Sequence, residues 1–179
     1  MRVISGSARG RKLIALPGLD TRPTTDRVKE SVFNIISPHL PARCVLDLFS
    51  GSGALGIEAL SRGSEKCVFV ENTKGAMNVT SRNIELARVD DRAQVFLGDA
   101  FLYLERTGEV FDIIFLDPPY NTGMLKRAVD LIAERNLLSE DGIIVAETEF
   151  GGEEPEHSGF EIIKRAKYGK TVILILKKS

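Results

Sequence analysis

The feature that most constrains the fold of this chain is a glycine-rich segment, Asp47 to Gly56, which lies between a short apolar run and a helical pattern. The order strand, glycine loop, helix is typical of nucleotide-cofactor sites in α/β proteins. Glycine allows a sharp turn and a close approach to a ligand where a Cβ would collide. The first turn of the following helix directs unpaired N–H groups to the same place. The segment therefore predicts a cofactor loop at the end of the first sheet strand.

From residue 44 onward the chain alternates strand and helix patterns, which predicts a parallel sheet with helices on both faces and right-handed crossovers. Two β-rich runs at the end have no helix between them, so we expect them to pair as an antiparallel hairpin. Together these patterns predict seven strands. The predicted strands are 44–48, 66–71, 93–97, 111–116, 142–147, 160–166 and 171–177, and the predicted helices between them are 54–61, 74–88, 100–106 and 124–135.

The first part of the chain has a different pattern. Residues 2–5 and 12–16 predict a small β-hairpin around a glycine-containing turn. A helix is expected to begin after a cap at Thr24 or Thr25 and to run to about Ile36. We therefore divide the chain into an N-terminal extension, residues 1–22, and a main domain, residues 23–179.

Charge is unevenly distributed along the 179 residues. Residues 1–43 contain eight Lys and Arg against three Asp and Glu, whereas the remainder contains sixteen against twenty-two. A basic segment on an acidic body favours an anionic partner such as nucleic acid. The apolar runs are too short to span a membrane, and the N-terminus lacks a signal-peptide pattern. We expect a cytoplasmic, monomeric protein.

The two cysteines, Cys44 and Cys67, both lie in apolar runs. They are too few for a disulfide framework or a zinc site. We interpret both as small core residues and expect no bound metal.

Four carboxylates follow successive predicted strands, and the carboxyl ends of parallel strands are where α/β sheets bind ligands. The glycines also satisfy the dinucleotide pattern G-x-G-x-x-G, and Glu71 lies where such a site places its ribose acid. A nicotinamide dehydrogenase is therefore an alternative. However, Asp47 opens the loop that would hold the pyrophosphate, and two like charges a few ångströms apart repel by several kcal/mol. The four carboxylates are Asp47, Glu71, Asp99 and Asp117.

This acidic rim suits a cofactor with positive charge and hydroxyl groups, such as S-adenosylmethionine. Asp47 could hold the amino group through the glycine loop, Glu71 could accept both ribose hydroxyls, and Asp99 could accept the adenine amino group. We therefore predict a cofactor site formed by Asp47, Phe49, Ser50, Gly51, Ser52, Gly53, Glu71, Asn72, Asp99 and Ala100.

The tetrapeptide Asp117-Pro118-Pro119-Tyr120 is the most specific signal in the sequence. The amino group of a nucleic-acid base is a poor nucleophile because its lone pair is conjugated with the ring. Asp117 and the Pro118 carbonyl can accept its hydrogens and direct the lone pair out of the ring plane. The two prolines fix the turn and remove competing N–H donors, while Tyr120 offers a flat face to a flipped base. We predict that these four residues form the catalytic site, with Asp117 as a possible proton acceptor.

These residues resemble the amino-directed methyltransferases with a D/N-P-P-Y/F tetrapeptide. Over nearly the whole chain, including the runs 22–30 and 47–63, the sequence resembles the RsmD family. The resemblance implies a Rossmann-like class I methyltransferase fold with a seven-stranded, mostly parallel sheet. It also implies S-adenosylmethionine as donor and the N2 amino group of guanine 966 in 16S ribosomal RNA of the small subunit as acceptor.

The resemblance also gives the basic first segment a role, because contacts to phosphates add affinity and register. Two alternatives stay open: a DNA adenine or cytosine amino methyltransferase, and a non-catalytic RNA-binding assembly factor with a vestigial cofactor pocket. The predicted RNA ligands are Arg9, Arg11, Lys12, Arg22, Thr24, Arg27 and Lys29.

Overall fold

The computed structural model describes residues 1–17, 23–152, 154–155 and 159–179, and for residues 23–25 it describes the backbone alone. A seven-stranded sheet runs through the centre in the order β3-β2-β1-β4-β5-β7-β6. The strands are β1 (Cys44–Asp47), β2 (Lys66–Glu71), β3 (Ala93–Leu97), β4 (Phe111–Leu116), β5 (Leu138–Glu149), β6 (Phe160–Tyr168) and β7 (Thr171–Lys178).

The strands β1 to β5 pair in parallel, and β7 pairs antiparallel with both β5 and β6. The predicted parallel sheet with an antiparallel hairpin at one edge is therefore confirmed. The carboxyl ends of the parallel strands meet at one rim, where β1 lies between β2 and β4. The helices are α1 (Pro23–Ile35), α2 (Ala54–Ser61), α3 (Lys74–Ala87), α4 (Ala100–Arg106) and α5 (Met124–Glu134).

Two hydrophobic cores cover the two faces of the sheet, because side chains alternate between faces along each strand. The N-terminal segment, α1, α2 and α3 pack on one face, where Phe33 and Phe115 contact each other with ring centroids 5.7 Å apart. The helices α4 and α5 pack on the other face. Cys67 lies in the first core, and burial raises the pKa of its thiol well above the usual value. Cys44 is half-buried beside the second core.

The N-terminal segment forms a smaller hairpin than predicted. Its antiparallel pairing is a single bridge between Arg2 and Lys12, with backbone hydrogen bonds from Val3 N to Arg11 O and from Leu13 N to Met1 O. The predicted strand 12–16 does not form, because Ile14 N donates to the side chain of Asn83 on α3, at 2.7 Å. The backbone N–H of Ile14 thus finds its hydrogen-bond acceptor on the main domain and not on a partner strand.

Two elements begin at a different residue from the prediction, and several others end one or two residues away from it. Helix α1 begins at Pro23, so Thr24 and Thr25 lie inside its first turn and do not cap it; proline favours the first helical position because its missing N–H is not needed there. Strand β5 begins at Leu138, which pairs with Phe111 through an irregularity in the ladder. Residue 22, at the predicted domain boundary, lies outside the described residues, so the division of the chain stays a prediction.

Candidate active site

The loop after β1 turns at two glycines with left-handed backbone conformations. Gly51 has φ of +53° and Gly53 has φ of +77°, values that are strained for residues with a Cβ. Ser50 N donates to Val70 O of β2 at 3.0 Å, and Gly53 N donates back to Ser50 O. The loop is therefore anchored to the neighbouring strand while its glycines form the turn that the sequence predicted.

Two buried polar side chains of α3 support this loop from below, and the sequence analysis did not identify them. Thr80 Oγ1 donates to Gly51 O at 2.7 Å, and Asn83 Nδ2 donates to Ser52 O at 2.8 Å. Both residues are fully buried. Their positions one turn apart on the apolar face of α3 were the available signal, because a buried polar group is found where it has a specific partner.

Glu71, at the end of β2, closes the loop from the side. Its carboxylate accepts hydrogen bonds from Gly51 N at 3.0 Å and from the backbone N–H groups of Asn72 and Thr73. Glu71, the residue predicted to bind the ribose, is thus fixed in position by the backbone around it. A carboxylate has about four lone-pair sites, so these bonds are compatible with additional donors.

Ser50 provides a specific observation about cofactor fit. Its residue is 7% exposed, and its hydroxyl is the one buried side-chain oxygen or nitrogen in the described part of the chain without a hydrogen-bond partner. Buried polar groups normally have partners, so an unpaired hydroxyl in a glycine loop fits a site completed by a polar ligand.

Asp47 lies beneath the loop. It is 2% exposed, and its Oδ2 accepts a hydrogen bond from Gly56 N at 3.0 Å. Burial, supported by the charge of Glu71 and opposed by the Gly56 hydrogen bond, raises the pKa of this carboxyl to about 7. A cationic ligand above the loop would favour the ionised form.

We expect the variant D47N to be more stable than the wild type, by an amount that grows with pH. Because folding raises the pKa of Asp47, its contribution is fully present below about pH 4 and is lost as pH rises towards 7. Asparagine can still accept from Gly56 N, but it has no proton to lose. The advantage should reach the order of 4 kcal/mol above pH 7, measured by urea unfolding at pH 4.5, 6 and 8. A difference that is independent of pH would contradict this assignment.

Asp99 and Phe49 bound the region on the β3 side of the loop. Asp99 is the N-cap of α4, where its Oδ1 accepts from Leu102 N at 2.9 Å, and Ala100 is buried at the first helical position. Phe49 packs edge-on against Phe101, with centroids 6.4 Å apart. A structural role for Asp99 as cap is therefore established, and its second oxygen is the group that a cofactor amino group could reach.

The Asp-Pro-Pro-Tyr segment follows β4 directly, beside the loop after β1. Tyr120 keeps 38% of its surface exposed, and its hydroxyl donates to Glu147 Oε1 of β5 at 2.5 Å. Thr122 Oγ1 donates to Pro119 O at 2.8 Å, which closes the turn. The predicted catalytic residues are thus presented on one rigid turn. Glu147 was missed by the sequence analysis, although it ends the predicted strand 142–147 and the same strand-end argument could have identified it.

Asp117 stands in an acidic environment. Its side chain is exposed by surface area. The protein atoms packed around it nevertheless limit its hydration and, together with the charges of Glu147 and Asp47, raise the pKa of its carboxyl to about 8. A carboxyl with a pKa near neutrality is suited to exchange a proton during a reaction. The sequence analysis placed Asp47 and Asp117 at the same rim but did not identify Glu147, which the fold brings to the same place.

The predicted RNA-binding residues are divided by the structure. Arg9 in the N-terminal turn and Arg27 on α1 are exposed, and together with Arg2 they line a cleft of about 530 Å³ that also contains Asp26 and Glu30. Lys12 is exposed as well, whereas one guanidinium nitrogen of Arg11 donates to Leu86 O at 3.0 Å. Arg22 lies outside the described residues, and Thr24 is described only by its backbone in α1.

Lys29 requires a correction. It is 4% exposed, and its ammonium group donates to Arg2 O at 2.6 Å and lies 3.2 Å from the carboxylate of Glu58. Burial lowers the pKa of Lys29, and Glu58 opposes that effect. Helix α1 turns this residue inward, so it is not available to an RNA phosphate.

The partner of Lys29, Glu58, organises the N-terminal segment. This fully buried carboxylate on α2 also accepts from Ile4 N at 2.8 Å, from Ser5 N at 3.0 Å and from Arg62 Nε at 2.9 Å. The single acid in the otherwise uncharged sequence of α2 was the signal for a buried role. Through it the basic segment is fixed to the main domain.

Two other kinds of site are absent from the part of the chain that the structure describes. Within residues 1–17, 23–152, 154–155 and 159–179, no three or more His, Cys, Asp or Glu side chains are grouped so that they could hold a metal ion. Among the helices in those same ranges, none has the length and apolar character needed to cross a membrane.

The sheet order and the placement of the rim define a class of protein. Seven strands in this order, with the antiparallel strand next to the edge, are the fold of class I methyltransferases. A solved structure entitled "Putative methyltransferase yhhF from Escherichia coli" has a TM-score of 0.88 and 32% identity, and the match covers 100% of this chain and 98% of the other.

Sequence comparison identifies the family. The family model described as "Conserved hypothetical protein 95" matches residues 1–177. The "Putative rRNA methyltransferase YlbH" of Bacillus subtilis is 47% identical over 99% of both chains. The "Ribosomal RNA small subunit methyltransferase D" of Escherichia coli is 35% identical over 83% of this chain and 75% of its own length. The chain belongs to this family, the RsmD methyltransferases.

Proposed function

We propose that this protein transfers a methyl group from S-adenosylmethionine to the N2 amino group of guanine 966 in 16S ribosomal RNA of the small subunit. The observation that carries the proposal is the position of the Asp117–Tyr120 turn. It follows β4, which pairs with β1, so the Asp-Pro-Pro-Tyr turn lies beside the glycine loop. The names of the RsmD relatives support ribosomal RNA as substrate.

The cofactor would lie across the carboxyl ends of β1, β2 and β3. Ser50 and the glycine loop would receive its amino acid part above Asp47, Glu71 its ribose diol, and Asp99 its adenine amino group. The buried hydroxyl of Ser50, which has no hydrogen-bond partner, supports this placement. When bound, the cofactor supplies a methyl group on a positively charged sulfur.

The Asp117–Tyr120 turn would position the target base. Tyr120 stacks on the flipped guanine, and Asp117 and the Pro118 carbonyl accept the two hydrogens of the N2 amino group. The nitrogen lone pair then points to the methyl group, so orientation supplies much of the rate gain. Methylation would leave a positive charge on N2, and Asp117 could accept the proton that N2 then loses.

The basic N-terminal segment would hold the RNA near this site. The backbone of Ile14, in this segment, is hydrogen-bonded to the side chain of Asn83, which also supports the glycine loop. Phosphates bound by Arg9 and Arg27 would therefore lie at a fixed position relative to the cofactor site. Asp26 and Glu30 in the same cleft limit its net charge, which favours a specific path for the phosphate backbone over a uniformly basic surface.

Methyl transfer to isolated small subunits tests the proposal. Subunits from cells that lack the modification should accept label from S-[methyl-³H]adenosylmethionine, and nuclease digestion should place the label on N2 of guanine 966. Subunits that already carry the modification are the matched control and should remain unlabelled. Label on an adenine amino group, on another guanine or in DNA would refute the proposed specificity.

Charge reversal should show where RNA binds. We expect R9E and R27E each to weaken binding to the unmodified subunit and to reduce the slope of log affinity against log salt by about one. The control K164E changes an exposed lysine on β6, the edge strand opposite β3, and should leave the slope unchanged. Filter binding at 50 to 300 mM KCl measures the slopes. An unchanged slope in both arginine variants would move the RNA surface elsewhere.

A further inference from the structure

The turn that carries Asp117 and Tyr120 is held by side chains of strands β5 and β7. Tyr120 Oη donates to Glu147 Oε1 at 2.5 Å and lies 3.4 Å from Thr171 Oγ1 of β7. One residue further, Asn121 Nδ2 donates to Glu149 Oε2 at 3.2 Å. Two glutamates of one face of β5 therefore hold two consecutive residues of the turn.

The two glutamates differ in their surroundings. Glu147 is partly buried, and its low hydration raises the pKa of its carboxyl, while the Tyr120 hydrogen bond opposes the rise. Its charge acts on Asp117, together with that of Asp47 from β1. Glu149 lies two residues farther along the strand and accepts from the exposed side chain of Asn121. Of these two glutamates, Glu147 is the one that both bonds to Tyr120 and acts on Asp117 through its charge.

We propose that Glu147 is a positioning residue for methyl transfer, which fixes the Tyr120 ring from β5 and controls the protonation of Asp117 through its charge. This inference rests on the proposed function. Leu116 of β4 pairs with Ala146 of β5, so Asp117 and Glu147 are the next residues on two adjacent parallel strands. The titratable groups that interact electrostatically with Asp117 are Glu147, Asp47 and Tyr120, and two of them are acids. An ionised Glu147 opposes the ionisation of Asp117, so Asp117 becomes a stronger base once it is ionised.

The hydrogen bond and the charge can be separated by substitution. In E147Q, the amide oxygen still accepts from Tyr120, but the negative charge is removed. In Y120F, the ring and the charge of Glu147 are retained, but the hydrogen bond is lost. E149Q is the matched control, because it makes the same change two residues away on the same strand.

Carbon-13 NMR of the Asp117 carboxyl tests the charge effect without any assay of activity. We expect the Asp117 titration midpoint to move to lower pH by about one pH unit in E147Q and to stay within about 0.3 pH unit of the wild type in E149Q. Equal midpoints in the wild type and E147Q, or equal displacements in E147Q and E149Q, would overturn the inference.

Methyl-transfer kinetics test the consequence for the reaction. The acidic limb of the kcat profile should move to lower pH in E147Q, whereas in Y120F kcat should fall about tenfold or more because the ring loses its anchor. A residue that only supported the fold would lower activity equally at every pH, and that result would contradict the inference. If the wild type transfers no methyl group to small subunits, the proposed function fails, and the NMR titration alone decides whether Glu147 controls Asp117.

Discussion

The variant D117A should lose nearly all turnover while it keeps its affinity for S-adenosylmethionine within a few-fold of the wild type. Removal of a positioned acceptor that also takes a proton typically costs a factor of 10² to 10⁴ in rate. Asp117 lies on the turn after β4, whereas the proposed cofactor contacts lie on the loops after β1, β2 and β3. Single-turnover methyl transfer measures the first quantity, and calorimetric titration of the cofactor measures the second.

The matched control for D117A is D99S. Serine can still cap α4 through Leu102 N, but it is too short to reach an adenine amino group from that position. We expect its cofactor affinity to fall about tenfold, as for one lost hydrogen bond, with a much smaller loss of turnover at saturating cofactor. If D117A loses affinity and turnover by the same factor, then Asp117 is a cofactor ligand and its proposed role is wrong.

The variant E58A should lose about 3 to 5 kcal/mol of unfolding free energy, because it leaves the buried ammonium of Lys29 without its carboxylate. It also removes the acceptor for Ile4 N and Ser5 N. Urea unfolding at pH 7 measures the loss. Hydrogen exchange at these two amides should accelerate more than exchange in the central strands, because the N-terminal segment loses its anchor first.

The control for E58A is E85A, on the exposed surface of α3. Glu85 pairs with Arg82, and both side chains are about 60% exposed, so we expect a change within about 0.5 kcal/mol. A loss below about 1 kcal/mol in E58A would mean that water or other groups replace the carboxylate, and that the N-terminal segment is held by its apolar contacts alone.

The sequence predicted most of the fold because strand and helix patterns agree with local chemistry along the main domain. Helix α2 and strands β2, β3 and β4 lie at the predicted residues. Strand β5 was predicted too short, since Ser139 to Gly142 resembles a turn; in the structure Ser139 donates to Asp112 of β4 and the ladder continues. The hairpin of the N-terminal segment was predicted too long, since its backbone partners come from α2 and α3.

For the candidate site, too, the sequence predicted some residues and missed those that depend on tertiary contacts. Residues at strand ends were predictable, because parallel strands bring their carboxyl ends to one rim. The residues that support them were not predicted. Thr80, Asn83 and Glu147 lie 27 to 31 positions from the loop or turn they contact, so no local pattern connects the partners. Lys29 was predicted to lie at the surface because it is charged. The sequence did not show that α1 directs it towards the interior. Its burial by Glu58 depends on tertiary structure alone.

The central claim is that the carboxylates above the sheet form a site for a positively charged methyl donor. Isothermal titration of the wild-type protein with S-adenosylmethionine and, separately, with NAD tests this claim most directly. We predict saturable binding of S-adenosylmethionine and no detectable heat with NAD at the same concentrations. Saturable binding of NAD without binding of S-adenosylmethionine would contradict the account.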